Sequence, residues 1–85
     1  MIVTITVELT CAAGDEHRAV LRDAATMLTN DPRSIRVRAD GKTVTARFRM
    51  KNEAQYKAVE RVRLAYHYAM PDFNDSSIRF ETGTA

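Results

Sequence analysis

Cys11 and His17 are the residues whose types and spacing could support nucleophilic chemistry in this chain. The sequence contains one cysteine, which follows a predicted strand and precedes a predicted helix, a position that can stabilise a thiolate. His17 belongs to the first turn of that helix. A cysteine nucleophile also needs a nearby base and a third group that orients the base. A small thiol-active enzyme is therefore one hypothesis, and ordinary packing of both side chains is the other.

Arginine is the second feature that bears on chemistry. Ten of the thirteen Lys and Arg residues are arginine, whose forked guanidinium suits carboxylates and phosphates. Eleven Asp and Glu residues leave a formal net charge of +2, which is too small by itself to indicate a nucleic-acid-binding protein. The placement of the arginines therefore decides their meaning. Five of them occupy alternate positions in predicted strands: Arg36, Arg38, Arg47, Arg49 and Arg79.

Length and composition favour one small domain. The chain has 85 residues, of which 45% are hydrophobic and 28% charged, as in an average soluble globular protein. Its apolar runs are too short to span a bilayer, and its N-terminus lacks the basic flank of a signal peptide. A single cysteine cannot form an internal disulfide, so we expect a cytoplasmic protein with no membrane contact.

The first half of the chain is predicted to form a strand, a helix and a hairpin. Alternating apolar residues indicate a strand over Ile2–Leu9. Apolar residues at three- and four-residue spacing indicate a helix over Asp15–Thr29, with Met27 in its buried stripe. Two more alternating strands follow, joined by Asp40-Gly41. We expect this dipeptide to supply both central residues of a two-residue turn, where positive φ is favoured.

The second half is predicted to form a helix and a last strand. Asn52, with Gln55 three residues later, resembles a capping box and begins a helix that ends at Ala69. The main buried stripe of this helix is expected to be Val59, Val62, Tyr66 and Ala69. A short strand over Ser77–Glu81 completes a single domain over residues 1–81, and residues 82–85 are expected to form a frayed tail.

The resulting order, β-α-β-β-α-β, predicts an α+β fold, the ferredoxin-like α/β plait. In that arrangement a four-stranded antiparallel sheet of order 4-1-3-2 carries both helices on one face. The core is expected to contain these residues: Val3, Ile5, Val7, Val20, Leu21, Leu28, Val37, Phe48, Val62, Tyr66, Ile78 and Phe80.

The open face of that sheet is predicted to be rich in arginine. Its charged residues are expected to be the five strand arginines with Glu8 and Glu81, which gives this face a charge of +3. An anion-binding platform for nucleic acid or an acidic partner is one interpretation, and an ordinary solvated sheet face is the other. The face carries no aromatic residue, which argues against base stacking of the kind that RNA-recognition sheets use.

The outer side of the second helix offers a different surface. Lys57, Arg61, Leu64 and Tyr68 follow one another at steps of three or four residues, opposite the core stripe. Two exposed apolar side chains between basic ones could serve a partner or self-association, including a homodimer, or could be incidental surface.

Leu9-Thr10-Cys11-Ala12-Ala13-Gly14, between the first strand and the first helix, resembles the metal loop of heavy-metal-associated domains. Those domains have the same element order and carry Met-Thr-Cys-x-x-Cys there. In this chain Gly14 stands at the position of the second thiolate, and a soft metal needs both. We therefore expect no metal and no cofactor. The leading expectation is a non-enzymatic binding or regulatory module of unknown partner, and the alternative is an enzyme that uses Cys11 and His17.

Overall fold

Among the residues that the structure describes, four strands and two helices follow one another in the order β-α-β-β-α-β. The computed structural model describes residues 1–51, 55–69 and 78–83. Neither described helix is both long enough and apolar enough to cross a membrane. The elements are β1 (Ile2–Glu8), α1 (Asp15–Leu28), β2 (Arg36–Asp40), β3 (Thr43–Arg49), α2 (Gln55–Ala69) and β4 (Ile78–Gly83), with a 3-10 turn at Pro32–Ser34 before β2.

The strands form one antiparallel sheet of order β2-β3-β1-β4. Counted from the opposite edge, this order is 4-1-3-2. β1 and β3 lie in the middle, because β1 pairs with both β3 and β4 while β2 pairs with β3 alone. Thr4 on β1 is opposite Arg47 on β3 and Glu81 on β4, which fixes the side chains that share a row.

One face of the sheet is buried beneath the helices. Val3, Ile5 and Val7 of β1 are fully buried, whereas the intervening Thr4 and Thr6 are only half-buried. This alternation follows from the two-residue period of a strand. The buried face shares a single core cluster with residues of both helices, so the helices pack on the same side.

The core differs from the predicted one at its margins. Four predicted members are only partly buried: Val20, Val37, Ile78 and Phe80. Seven other residues are buried in addition: Ala24, Ala25, Ile35, Val44, Ala46, Met50 and Ala58. Met27, expected to be buried, is 57% exposed. The four buried alanines fit where helices and strands approach closely. Ala24 and Ala46 lie on the apolar faces that the spacing predicts, whereas the spacing does not predict the burial of Ala25.

The buried stripe of α2 is rotated relative to the prediction. Ala58, Val62 and Tyr66 are fully buried at four-residue steps. Val59 is half-buried and Ala69 is exposed, so the prediction for these two was wrong. Because a helix has 3.6 residues per turn, residues at four-residue steps shift gradually around its axis. The small side chain of Ala58 lets the buried side of α2 lie close to the core.

The hairpin turn lies one residue later than predicted. Asp40 pairs with Thr43, so Gly41 and Lys42 are the two turn residues and Asp40 ends β2. Gly41 has a φ of 62°, and no non-glycine residue in the described part of the chain has positive φ. Glycine at the first central position, followed by a residue with negative φ, is the pattern of a type II′ turn.

The C-terminal end of the second half also differs from the prediction. β4 continues to Gly83, because Thr82 and Gly83 pair with Val3 and Ile2, so the predicted tail at 82–85 does not begin at residue 82. Residues 84 and 85 lie outside the described residues. The predicted cap at Asn52 lies outside them as well, as does the predicted strand start at Ser77.

Candidate functional site: the open face of the sheet

The register of the hairpin brings three arginines together at one end of the open face. Arg36 on β2 is directly opposite Arg47 on β3, and Arg49 follows Arg47 on the same face two residues later. All three side chains are exposed. We call these residues, Arg36, Arg47 and Arg49, the arginine end. Like charges directly opposite each other on neighbouring strands repel, so this arrangement weakens the sheet locally.

A network around Thr29 holds the backbone of the arginine end in place. Thr29 is buried, and its hydroxyl donates to the carbonyl oxygen of Arg49 at 2.5 Å. The backbone N–H of Arg49 donates to the hydroxyl of Ser34 at 2.9 Å. The end of β3 is therefore anchored both to the end of α1 and to the turn before β2.

The guanidinium of Arg36 is held by the same turn. Its Nη1 donates to the carbonyl oxygens of Arg33 and Ile35, at 2.9 and 3.0 Å. Carbonyl oxygens carry no formal charge, so these hydrogen bonds orient the guanidinium and leave its positive charge uncompensated. Arg33 thus contacts the arginine end through its backbone, and its own side chain is exposed.

The opposite end of the open face has balanced charges. Arg79 on β4 donates to a carboxylate oxygen of Glu8 on β1 at 2.8 Å. Arg38 lines a shallow pocket with Asp40, Thr43 and Thr45. At this end of the face, the charges of Arg79 and Arg38 are thus balanced by those of Glu8 and Asp40. Asp40 was predicted in the turn and lies on this face instead. The two-residue period of the strand, continued from Arg36 and Arg38, indicates this position.

The positive charge of the face is therefore concentrated rather than spread out. With Asp40 included, five arginines against three carboxylates leave +2 on the whole face rather than the expected +3. In the row of Arg47 the acidic residue is Glu81, two strands away, which corresponds to about 10 Å. Arg47 and Arg49 have no side-chain hydrogen bond or ion pair within residues 1–51, 55–69 and 78–83.

Cys11 and His17 are adjacent, but their geometry gives the histidine a structural role. The Cys11 Sγ lies 3.7 Å from His17 Nε2. The backbone N–H of Gly14 donates to His17 Nδ1 at 3.0 Å, so Nδ1 carries the lone pair and Nε2 carries the proton. His17 occupies the third position of α1 and reaches back to the N-cap residue Gly14, as Glu or Gln does in a capping box.

This tautomer suits neither a catalytic base nor a metal ligand. A histidine that accepts the Cys11 proton, or binds a metal through Nε2, needs its lone pair on Nε2. In the described part of the chain no group of three or more His, Cys, Asp or Glu side chains could hold a metal ion. Asp15, which lies between Cys11 and His17 in the sequence, forms an ion pair with Arg18. The resemblance to heavy-metal-associated domains is thus not accompanied by a ligand set among these residues.

Tyr66 connects the second helix to the cap of the first. Its hydroxyl donates to the carbonyl oxygen of His17 at 2.6 Å, and the side chain is fully buried. Burial raises the pKa of this hydroxyl well above its ordinary value of 10.0, because the charged tyrosinate loses its hydration.

The surface predicted on the second helix forms the wall of a groove between the helices. Lys57, Arg61, Leu64 and Tyr68 line it, together with residues of α1, and its volume is about 530 Å³. Met27, which was predicted in the buried stripe of α1, lines this groove instead. Its Sδ lies 4.0 Å from Nη1 of Arg61.

No protein-family model, no curated protein and no solved structure matches the chain. Within the described residues, the candidate sites are the arginine end, the groove between the helices and the Cys11–His17 pair.

Proposed function

We propose that this chain is a non-enzymatic binding module of ferredoxin-like fold that holds a phosphate-bearing ligand at the arginine end. The element order, the antiparallel sheet and the placement of both helices on one face support the fold assignment. Fold alone does not indicate function, because this architecture serves many unrelated activities. The proposal therefore rests on the open face.

The observation that carries the proposal is the pairing of Arg36 with Arg47. A carboxylate at either position would make a favourable cross-strand pair, whereas two arginines cost roughly 0.2–1 kcal/mol of sheet stability. Local arrangements that lower stability without structural benefit are expected at functional sites. A bound anion between the two guanidinium groups removes this repulsion, so ligand binding and sheet stability become coupled.

Phosphate is the anion that the chemistry fits. Guanidinium groups bind phosphate oxygens through two parallel hydrogen bonds, and the arginine end offers several such groups on a flat, solvent-accessible surface. Aromatic side chains are absent from the described open face, so stacking on bases cannot contribute. We therefore expect electrostatic binding to the backbone of single-stranded nucleic acid, without sequence preference.

A labelled single-stranded oligonucleotide of mixed sequence tests this function. We expect binding at low salt that weakens steeply as salt rises, because three neutralised phosphates give a slope of about −2 in log affinity against log salt. Reversal of two charges in Arg47→Glu with Arg49→Glu should abolish this binding. Both side chains are exposed, so the variant should remain folded. Fluorescence anisotropy gives the affinity, and circular dichroism confirms the fold.

Arg18→Glu with Arg22→Glu is the matched control, because it reverses the same charge on exposed residues of α1. This variant should retain most of the oligonucleotide affinity. Absence of binding at low salt, or equal loss in the two double variants, would contradict the proposal and leave the open face as ordinary solvated sheet. Strong preference for one base would contradict the electrostatic mechanism.

An enzyme based on Cys11 is not favoured as a second function, because the lone pair of His17 faces Gly14 rather than the thiol. The cytoplasmic location remains an expectation from the single cysteine, which cannot form an internal disulfide.

A further inference from the structure

Large exposed hydrophobic side chains concentrate around the groove between the helices. Five such side chains occur among the described residues, and four of them lie here: Met27, Tyr56, Leu64 and Tyr68. Single exposed apolar residues are common on any protein, but a contiguous cluster indicates an interaction surface. The cluster lies on the helices, on the opposite side of the sheet from the arginine end.

The shape of the groove suits a helix. It follows α2 from Tyr56 to Tyr68, which at 1.5 Å per residue corresponds to a length of about 18 Å, or three helical turns. Ala24 and Ala65 also line it, and their small side chains leave room between the larger ones. Apolar side chains at positions i, i+4 and i+7 of a bound helix would have the spacing to enter such a groove.

The charge of the groove indicates the kind of helix. Lys57 and Arg61 line it at a four-residue interval, and neither forms an ion pair within the described residues. The one acidic residue in the lining, Glu60, is already paired with Arg63, with 2.5 Å between Oε2 and Nη1. The rim therefore presents, beside an apolar floor, two cations that no described carboxylate pairs with.

We propose that this groove binds an amphipathic helix of another protein, with carboxylates flanking its apolar anchors. A second copy of this chain is the less suitable occupant, since a two-fold contact between grooves would bring the Lys57 and Arg61 pairs of both copies together. A helix in this groove covers a footprint of roughly 18 by 12 Å, which is far below the ~800 Å² per partner of a standard stable interface. The affinity should accordingly be weak.

Two synthetic helical peptides of equal length test the proposal. Both carry leucine at i, i+4 and i+7, and they differ in having glutamate or lysine at the flanking positions. In a nitrogen-15 chemical-shift titration, the acidic peptide should give saturable shifts at Ala24, Leu64 and Ala65. It should bind at least about tenfold more tightly than the basic peptide, because two rim charges change from attraction to repulsion.

Variants of exposed groove residues separate the apolar and charged contributions. Leu64→Asp should weaken the acidic peptide by about tenfold or more, since it removes a central anchor. Lys57→Glu with Arg61→Glu should reverse the preference between the two peptides. Arg18→Glu with Arg22→Glu has the same four-residue spacing and charge change on α1, and should leave the preference unchanged.

Several outcomes would overturn the proposal. These are an absence of saturable shifts, equal affinity for the two peptides, or shifts centred on the open sheet face. Light scattering that shows a dimer, with Leu64→Asp restoring the monomer, would assign the groove to a second copy instead. The arginine end contributes no residue to the groove, so this test and the oligonucleotide test fail independently of each other.

Discussion

The hydrogen bond from Gly14 to His17 decides what the Cys11–His17 pair can do. His17 Nδ1 accepts a hydrogen bond from the backbone N–H of Gly14 at the start of α1. The protonated Nε2 therefore faces the Cys11 Sγ, at a distance of 3.7 Å. Sequence pattern identified the neighbourhood of the two residues but not the tautomer, because a capping box is recognised by Glu or Gln at this position. Histidine in the same place has the same acceptor geometry.

Replacement of His17 distinguishes capping from catalysis. His17→Gln preserves an acceptor for the Gly14 N–H, whereas His17→Leu removes it and should lower the free energy of unfolding by about 1 kcal/mol. The alkylation rate of Cys11 by iodoacetamide should change little in either variant. A rate that falls tenfold in both variants, with stability unchanged in His17→Gln, would instead give His17 a direct effect on the thiol. Urea unfolding and mass-spectrometric alkylation kinetics provide the two measurements.

At the scale of elements, the turn between β2 and β3 determines the arginine end. A turn centred on Asp40-Gly41 would place Arg36 opposite Thr45. With Gly41-Lys42 as the turn residues the pairing shifts by two, and Arg36 is opposite Arg47 instead. Alternation predicts which face each arginine occupies, because the period of a strand is two. It does not predict the cross-strand partner, which depends on whether glycine takes the first or second turn position.

Apolar spacing predicts where the two helices lie, but it does not predict which residues at the edge of a helix face are buried. The positions of both helices follow from apolar spacing, and α1 ends at Leu28, one residue before the predicted end at Thr29. The exposure of Met27 does not follow from spacing, because the neighbouring helix leaves a groove at that point rather than a packed contact. Burial at the edge of a stripe depends on tertiary packing, which a single helix pattern does not contain.

The repulsion between Arg36 and Arg47 should also affect the stability of the protein without ligand. Arg47→Glu replaces a repulsive cross-strand pair with an attractive one opposite Arg36, and should raise the free energy of unfolding by about 0.5–1 kcal/mol at low salt. Arg38→Glu is the matched control, since its cross-strand partner is Thr45 and Asp40 lies beside it. That variant should be neutral or less stable. Urea unfolding measures both, and equal changes in the two variants would contradict a specific Arg36–Arg47 repulsion.

At the scale of the whole molecule, the sheet and the helices present two different surfaces. The open face carries an unbalanced positive charge, and the helical side carries an apolar groove with a basic rim. One core joins them, and in a chain of this size that core supplies only a few kcal/mol of net stability. Individual hydrogen bonds between elements therefore contribute a measurable share of the total.

Tyr66 provides such a bond, and its contribution should depend on pH. The hydroxyl links α2 to the first turn of α1 through the His17 carbonyl, and burial raises its pKa above the 10.0 of the unfolded chain. Below pH 10.0 both states hold the proton, so the contribution is constant and Tyr66→Phe should cost about 1 kcal/mol. Above that pH the unfolded state releases its proton first, so stability falls with rising pH, by at most about 1.4 kcal/mol per pH unit.

Urea unfolding between about pH 7 and pH 11 measures this dependence. The substitution removes only this hydroxyl, so the difference between the unfolding free energies of wild type and Tyr66→Phe isolates its contribution. That difference should be constant up to about pH 10 and then shrink, because the phenylalanine variant has no proton to release at this site. Tyr56→Phe alters an exposed tyrosine and should follow the wild-type profile throughout. Parallel profiles for wild type and Tyr66→Phe would mean that the hydroxyl titrates alike in both states, and would contradict the raised pKa of the buried Tyr66 hydroxyl.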